Sequence, residues 1–275
     1  QTCALPIWRW QNNVERIQFY NDLEVEAAPS QPTDPKPDED WPTRGEVNFQ
    51  NVQLRYRPDL PLVLKSLTFN IRPGEKVGII GRTGAGKSSI AQAIFRTVEL
   101  CGGTITVDGR DLRSIGLETL RTRLAVIPQD ALLFLGSVRD NIDPMGKRPD
   151  AELNDALNLI HNNSSASTSL REKFRLDAPV LSEGSNFSAG ERQLLALIRA
   201  MVRRCKVLLL DEATSSVDPA TDAFIQGIIQ TEFADTVAYY DRILVLDAGQ
   251  IAEFDTPLAL FDRQDSIFRS LCNKK

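Results

Sequence analysis

A short apolar run from Lys76 to Ile80 ends at Gly81 and passes directly into Gly81-Arg82-Thr83-Gly84-Ala85-Gly86-Lys87-Ser88. The run predicts a buried parallel strand, and the glycines after it predict a tight turn into a helix. Three glycines let successive backbone N–H groups converge on one point with no Cβ in the way. The helix N-terminus adds a dipole that favours an anion there. Strand, glycine-rich turn and helix in this order fit GxxxxGKS, a cradle for phosphate oxygens. The candidate phosphate-binding set is therefore Gly81, Thr83, Gly84, Ala85, Gly86, Lys87, Ser88 and Ser89, with Lys87 placed for the β and γ phosphates and Ser88 for magnesium.

Such a cradle needs a sheet around it, and the chain supplies further strands. Val47, Phe49, Val52, Leu54 and Tyr56 alternate with one slip, which suits a strand carrying a bulge, and Leu64, Leu67, Phe69 and Ile71 form a second run. Short strands are also predicted at Thr104 to Val107 before the Asp108-Gly109 turn, at Leu124 to Ile127, and at Val207 to Leu210. Helical patterns separate them, so the core is α/β. Residues 137 to 200 differ, with helical periodicity around Ala151 to Ile160 and Leu194 to Met201, and read as an inserted helical subdomain.

Upstream of residue 45 the pattern changes. Residues 1 to 7 resemble a translated frame of a sequencing-library adapter and are read as non-biological. Val14, Ile17, Phe19 and Tyr20 suggest a short amphipathic helix, such as one descending from a membrane domain, or equally a frayed tail. Residues 27 to 44 place five prolines among acidic residues, a composition expected to form an extended, unpacked linker. A domain is expected over 45 to 272.

A net charge of -5 gives no basic footprint for nucleic acid. The four cysteines lie far apart without a CxxC pair, which argues against disulfides and zinc. No window approaches the roughly 18 consecutive apolar residues of a membrane-spanning helix.

Val207-Leu208-Leu209-Leu210-Asp211-Glu212 runs four apolar residues into two carboxylates, as a buried strand does where its carboxyl end opens on a ligand crevice. Apolar runs of this kind are common in any α/β core. Coupled to the glycine loop, Asp211 can hold the magnesium shell and Glu212 can accept a proton from attacking water, which specifies nucleotide hydrolysis.

Just upstream stands Asn186-Phe187-Ser188-Ala189-Gly190-Glu191-Arg192-Gln193. It resembles the signature of the nucleotide-binding domains of ABC transporters, whose usual form is Leu-Ser-Gly-Gly-Gln. Ser188 and Gly190 match, while Phe187, Ala189 and Glu191 depart as is typical of second domains in the C subfamily. The chain is thus similar to the second nucleotide-binding domain of a fungal multidrug-resistance-associated exporter. The resemblance implies a P-loop NTPase core with an antiparallel β subdomain and an inserted α-helical signature subdomain. It also implies ATP and Mg2+ as cofactors, the first nucleotide-binding domain as head-to-tail partner, transmembrane domains of the same exporter, no nucleic acid, and a place at the cytoplasmic face of a membrane. Ser188, Ala189, Gly190 and Glu191 would face the γ phosphate of ATP held by the opposite domain, although Asn-x-Ser before a helix is also an ordinary cap. Tyr56 matches the residue that stacks on adenine, or else packs a strand. Gln129 matches the loop glutamine that approaches magnesium and links to the transmembrane coupling helix. Asp218 matches the loop that touches the partner domain, and also suits a helix cap before Pro219.

One part of the family pattern is missing. The family places a histidine beyond the catalytic glutamate, on a loop after a strand, where it contacts the γ phosphate. The single histidine here, His161, precedes the signature and reads as a helix-terminal residue. Glu232 to Asp241 runs straight into the next strand, Arg242 to Leu246, and by resemblance the absent strand lies between those leading to Lys87 and Asp211. A degenerate natural domain and a lost stretch of coding sequence near Asp235 both explain this, and the intact Glu212 favours the second. The resulting alternatives are an ATP-driven export module, a module that binds ATP without hydrolysing it or a defective fragment, and a soluble ATPase of repair or translation. The connector-like Val14 to Pro29 disfavours the last.

Overall fold

The computed structural model describes residues 5–23, 25–36, 39–128, 131–161, 168–210 and 240–273. In chain order the elements are α1 (Leu5–Asn21), β1 (Val47–Leu54), β2 (Leu64–Ile71), β3 (Val77–Gly81), α2 (Lys87–Ile94), β4 (Gly102–Val107), β5 (Arg110–Asp111), α3 (Leu117–Arg123) and β6 (Ala125–Ile127). They continue with β7 (Gly136–Ser137), α4 (Val138–Ile142), α5 (Asp150–His161), α6 (Thr168–Lys173), β8 (Pro179–Val180), α7 (Ala189–Arg203) and β9 (Leu208–Leu210). The last are β10 (Arg242–Asp247), β11 (Gln250–Asp255), α8 (Pro257–Asp262) and α9 (Ile267–Cys272). His161 closes α5, as its sequence position suggested.

The antiparallel sheet has the order β2-β1-β4-β5. The slip in the β1 alternation is a real register shift between Phe49 and Val52, with Asn51 at φ 49°. It keeps Phe49 and Val52 fully buried on one face, and the Phe49 and Phe69 rings stack at 4.3 Å. The turn after β4 carries a second function. Asp108 accepts the backbone N–H groups of Arg44, Gly45 and Glu46 at 2.9, 3.1 and 2.8 Å, which fixes where β1 starts. Burial works against ionisation of this carboxylate, but those donors outweigh it and hold its pKa below the ordinary value.

The helical region has its own core. Leu194, Leu195, Leu197 and Ile198 of α7 pack with Leu153, Leu157 and Ile160 of α5 and with Phe174 and Phe187. α7 is amphipathic, and its buried stripe, not its propensity, is what holds it in place.

Residues 27 to 44 overturn the expectation of an unpacked linker. Their described members, 27–36 and 39–44, form a strap against α3 and β4. Leu117 and Glu118 donate their N–H groups to the Ala28 and Pro29 carbonyls at 3.1 and 3.0 Å, and Gly116 donates to Asp34 Oδ1 at 2.6 Å. Arg110 pairs with Glu39 and Arg121 with Glu26. Trp41 is buried, and its indole N–H reaches the Val107 carbonyl at 3.1 Å. The prolines lose little backbone freedom on ordering, so a few polar anchors and one tryptophan suffice to dock the segment. Gly116 must be glycine for this, because a Cβ would lie 2.4 Å from Ser30 Cα and 2.5 Å from the Pro29 carbonyl oxygen.

β10 could have filled the vacant central place or left β3 and β9 without a shared neighbour, and the second arrangement is found. β3 pairs in parallel with β10, which pairs antiparallel with β11. Among the described residues β9 pairs in parallel with β6 alone. Among the described residues no strand joins the two groups. Ile79, Ile80 and Leu209 are accordingly only half-buried, and Val126 and Leu210 are exposed. The described chain resumes at Tyr240 beside the start of β3, where Asp241 and Lys76 exchange hydrogen bonds at 2.9 and 2.8 Å.

Candidate functional site

The glycine loop joins β3 to α2. It is held from behind, where the Ala85 N–H donates to the Arg82 carbonyl at 3.0 Å and Gly249, in the turn between β10 and β11, donates to the Ala85 carbonyl at 3.2 Å. Ala85 is buried there, so the loop is backed by the core and not draped over it. Gly86 is the N-cap of α2 at φ 104°, a conformation that excludes a Cβ, which would also come within 2.9 Å of Leu64. A glycine cap offers no side-chain acceptor, and none caps α2. The first-turn N–H groups are thus left for an acceptor from outside the chain.

The charge at the loop is positive. Lys87 folds back so that Nζ donates to the Gly81 carbonyl at 3.0 Å and to the Arg82 carbonyl at 3.5 Å. Among the described residues it has no carboxylate partner. An ammonium held only by neutral carbonyls can exchange them for phosphate oxygens at small cost. Arg82, Thr83, Gly84 and Ser88 are exposed, while Ser89 is buried with its Oγ 2.9 Å from the Tyr56 hydroxyl. Tyr56 therefore lies beside the first turn of α2, and the residue is 44% exposed. The donor set fits a polyphosphate, and the exposed Ser88 hydroxyl fits a hard cation that accompanies it.

The signature residues lie on the helical side. Ser188 is the N-cap of α7, with its hydroxyl accepting the Glu191 N–H at 3.2 Å while Glu191 Oε2 accepts the Ser188 N–H at 2.7 Å. Ser188 is exposed, Ala189 half-buried and Gly190 buried. Asn186 braces the approach, since its Oδ1 accepts the Leu181 N–H at 3.0 Å and its Nδ2 donates to the Pro179 carbonyl at 2.8 Å. The glycine loop and the signature belong to different cores, and no hydrogen bond or ion pair joins them among the described residues.

Asp211, Glu212, Gln129 and Asp218 lie outside the described residues, as does the stretch 231 to 239 where the histidine was missed. The strands that lead to them are described. Ile127 and Leu210 are register partners at the ends of β6 and β9, so the chain leaves both strands from the same carboxyl edge. Buried Gln193, which ends the signature stretch but was given no role there, donates from Nε2 to the Pro128 carbonyl at 3.1 Å and ties α7 to that edge. Lys173 also escaped the motifs, because its partner Glu191 is distant in sequence and only the fold brings its Nζ within 3.0 Å.

A family model described as ABC transporter matches residues 64–215. The chain is 49% identical over 291 residues to the oligomycin resistance ATP-dependent permease YOR1 of Saccharomyces cerevisiae, covering 96% of this chain and 20% of that protein. It is 47% identical over 266 residues to ATP-binding cassette sub-family C member 2 of Rattus norvegicus, covering 93% of this chain and 17% of that one. This chain spans about a fifth of the length of such relatives. The first alignment is longer than the 275 residues of the chain, so it crosses positions at which this chain has no residue. In shape, the chain superposes on the structure of a bacterial Atm1-family ABC exporter with ATP bound at a TM-score of 0.77 and 29% identity, covering 96% of this chain and 47% of that one. The fold is the P-loop NTPase fold of a nucleotide-binding domain, and the chain belongs to the ABC transporter family.

Proposed function

We propose that this chain binds Mg-ATP at the glycine loop and powers export across a membrane as the second nucleotide-binding domain of a C-subfamily exporter, paired head to tail with the first. The observation that carries this is the uncapped start of α2 beside a lysine held only by carbonyls, on a chain whose signature stands in a separate subdomain. A signature with no described hydrogen bond or ion pair to the chain's own glycine loop suits one that completes a nucleotide site on a partner.

In this reading Tyr56 stacks on adenine. The N–H groups of 83 to 88 bind the phosphates, and Lys87 turns from the Gly81 carbonyl to the β and γ phosphates. Ser88, with Asp211 and Gln129, would hold magnesium, which neutralises phosphate charge when bound. Glu212 takes the proton of the attacking water, and Ser188 with the α7 amides contacts the γ phosphate of the opposite ATP. Asp218 touches the partner domain. Leu132, Phe134 and Leu135, next to Gln129 in sequence, are exposed at 70%, 60% and 75%, and form the apolar surface on which transmembrane domains would seat. Measured affinity for Mg-ATP tests the reading. Lys87→Ala should lose binding, and unchanged affinity would remove the glycine loop from the mechanism.

A second reading has its own support. Among the described residues β3 has a neighbour on one side only, and the chain has no histidine after His161. These observations favour a domain that binds ATP and hydrolyses it poorly. Turnover measured beside binding separates the two.

A further inference from the structure

Glu191 sets a carboxylate in the first turn of α7, at the end that the proposed function turns toward a phosphate. As a cap it stabilises the helix, because it accepts the Ser188 N–H at 2.7 Å. As a charge it opposes an incoming anion. The structure resolves the conflict with a residue from another helix. Lys173, the last residue of α6, places Nζ 3.0 Å from both Glu191 oxygens and 5.8 Å from the centre of the Phe187 ring, one residue before the cap. Phe187 is itself buried edge-on against Phe174, which directly follows Lys173, so ring and ammonium are placed by the same packing.

We propose that Lys173 is a positioning residue for the signature: it cancels the Glu191 charge, so that the carboxylate can cap α7 without repelling the phosphate presented to Ser188. This rests on the reading that the signature meets ATP held by the opposite domain. A pair whose members are 37% and 15% exposed contributes little to stability by itself. Its effect falls on the helix end, where one uncompensated negative charge weakens anion binding about fivefold.

The test uses the full-length exporter that carries this domain, with two readouts: nucleotide bound at the glycine loop of this chain, by photo-cross-linking, and closure of the two nucleotide-binding domains, by the distance between fluorophores. Lys173→Met should raise the Mg-ATP concentration needed for closure about fivefold with nucleotide binding at this loop unchanged. Lys173→Arg should close as the unsubstituted protein does. Adding Glu191→Gln to Lys173→Met should restore closure, a rescue that a merely structural pair would not show. The proposal falls if Lys173→Met closes normally, if it lowers nucleotide binding itself, or if the double variant closes no better than Lys173→Met. Ser188→Ala separates this failure from a deeper one. If it leaves closure untouched, the signature does not act across the domains, and the role of Lys173 falls with it.

Discussion

Replacing Asp34 by alanine tests whether the strap is part of the domain. Its carboxylate accepts the Gly116 N–H at 2.6 Å, the Gln31 N–H at 2.9 Å and the Thr119 hydroxyl at 3.1 Å, so one side chain holds both the strap and the start of α3. Alanine removes both acceptor oxygens, and with them all three hydrogen bonds, and leaves the Gly116 N–H without this partner, a loss of about 1–3 kcal/mol for a sheltered donor. Asp34 is only half-buried, so solvent takes up part of the loss, and we expect a net destabilisation of about 2 kcal/mol. For a domain of this size that lowers Tm by roughly 4–8 °C. The effect has a pH signature. Burial alone would raise the Asp34 pKa, but hydrogen bonds from Gly116, Gln31 and Thr119 prevail and hold it below the ordinary carboxylate value. A folded-state pKa below the unfolded one gives stability that is complete above the unfolded value of about 3.9 and is lost as pH falls through the folded value. Asp34→Asn should therefore be less stable than the unsubstituted chain near neutral pH and should converge with it in acid. Calorimetry and urea unfolding across pH supply the measurement. An Asp34→Ala chain that melts within about 1 °C of the original would show that the Asp34 anchor adds nothing to the domain's stability.

Two further outcomes follow from single contacts. Lys87→Ala deletes the ammonium held at the glycine loop by the Gly81 carbonyl, and if that charge meets the phosphates as proposed, Mg-ATP affinity by titration calorimetry should fall at least about tenfold, the scale of one charge-assisted hydrogen bond. Trp41→Phe removes the indole N–H from the Val107 carbonyl and trims a buried ring, and should cost about 1–2 kcal/mol in urea unfolding with nucleotide affinity unchanged.

What could be read in advance was what local pattern controls. The β1 bulge showed as a slip in alternation, the glycine loop as strand and glycines in order, and the start of α7 as the Asn-x-Ser cap at Ser188. The strap was misread because composition described its prolines and acids but not their partners. Asp34 is anchored by residues near position 116, and Trp41 by Val107. Lys173 and Gln193 were missed for the same reason, as each acts on a segment that is distant in the chain. Contacts of this kind carry no short-range signal. Tyr56 is an intermediate case: its motif position was legible, while its hydrogen bond to Ser89, which sets the ring beside α2, was not.

The sharpest prediction concerns the edge of β3. In a parallel sheet each inner strand is paired on both sides, and β3, which delivers the glycine loop, is paired with β10 alone among the described residues. β9, which leads to Asp211, is paired among the described residues with β6 alone. A strand set between them would pair both open edges and cover Ile79, Ile80 and Leu209, which are now half-buried. β10 takes up one edge of β3, and among the described residues no strand pairs with the other. Each buried backbone group left unpaired costs about 1–3 kcal/mol, and a domain with a net stability of roughly 5–15 kcal/mol tolerates few of them. Catalysis carries a separate loss, since a positioned polar group at the reacting phosphate is commonly worth on the order of 10²- to 10⁴-fold in rate. We therefore expect the chain to show low solubility and little ATP turnover. A version with a β-branched strand ending in a histidine, inserted between Asp235 and Thr236, should gain both a higher Tm and faster turnover. Changing that histidine to alanine in the longer version should keep the Tm and lose the turnover, which separates sheet repair from chemistry. Equal melting and equal turnover in the original and the lengthened chain would mean that β3 and β9 need no strand between them.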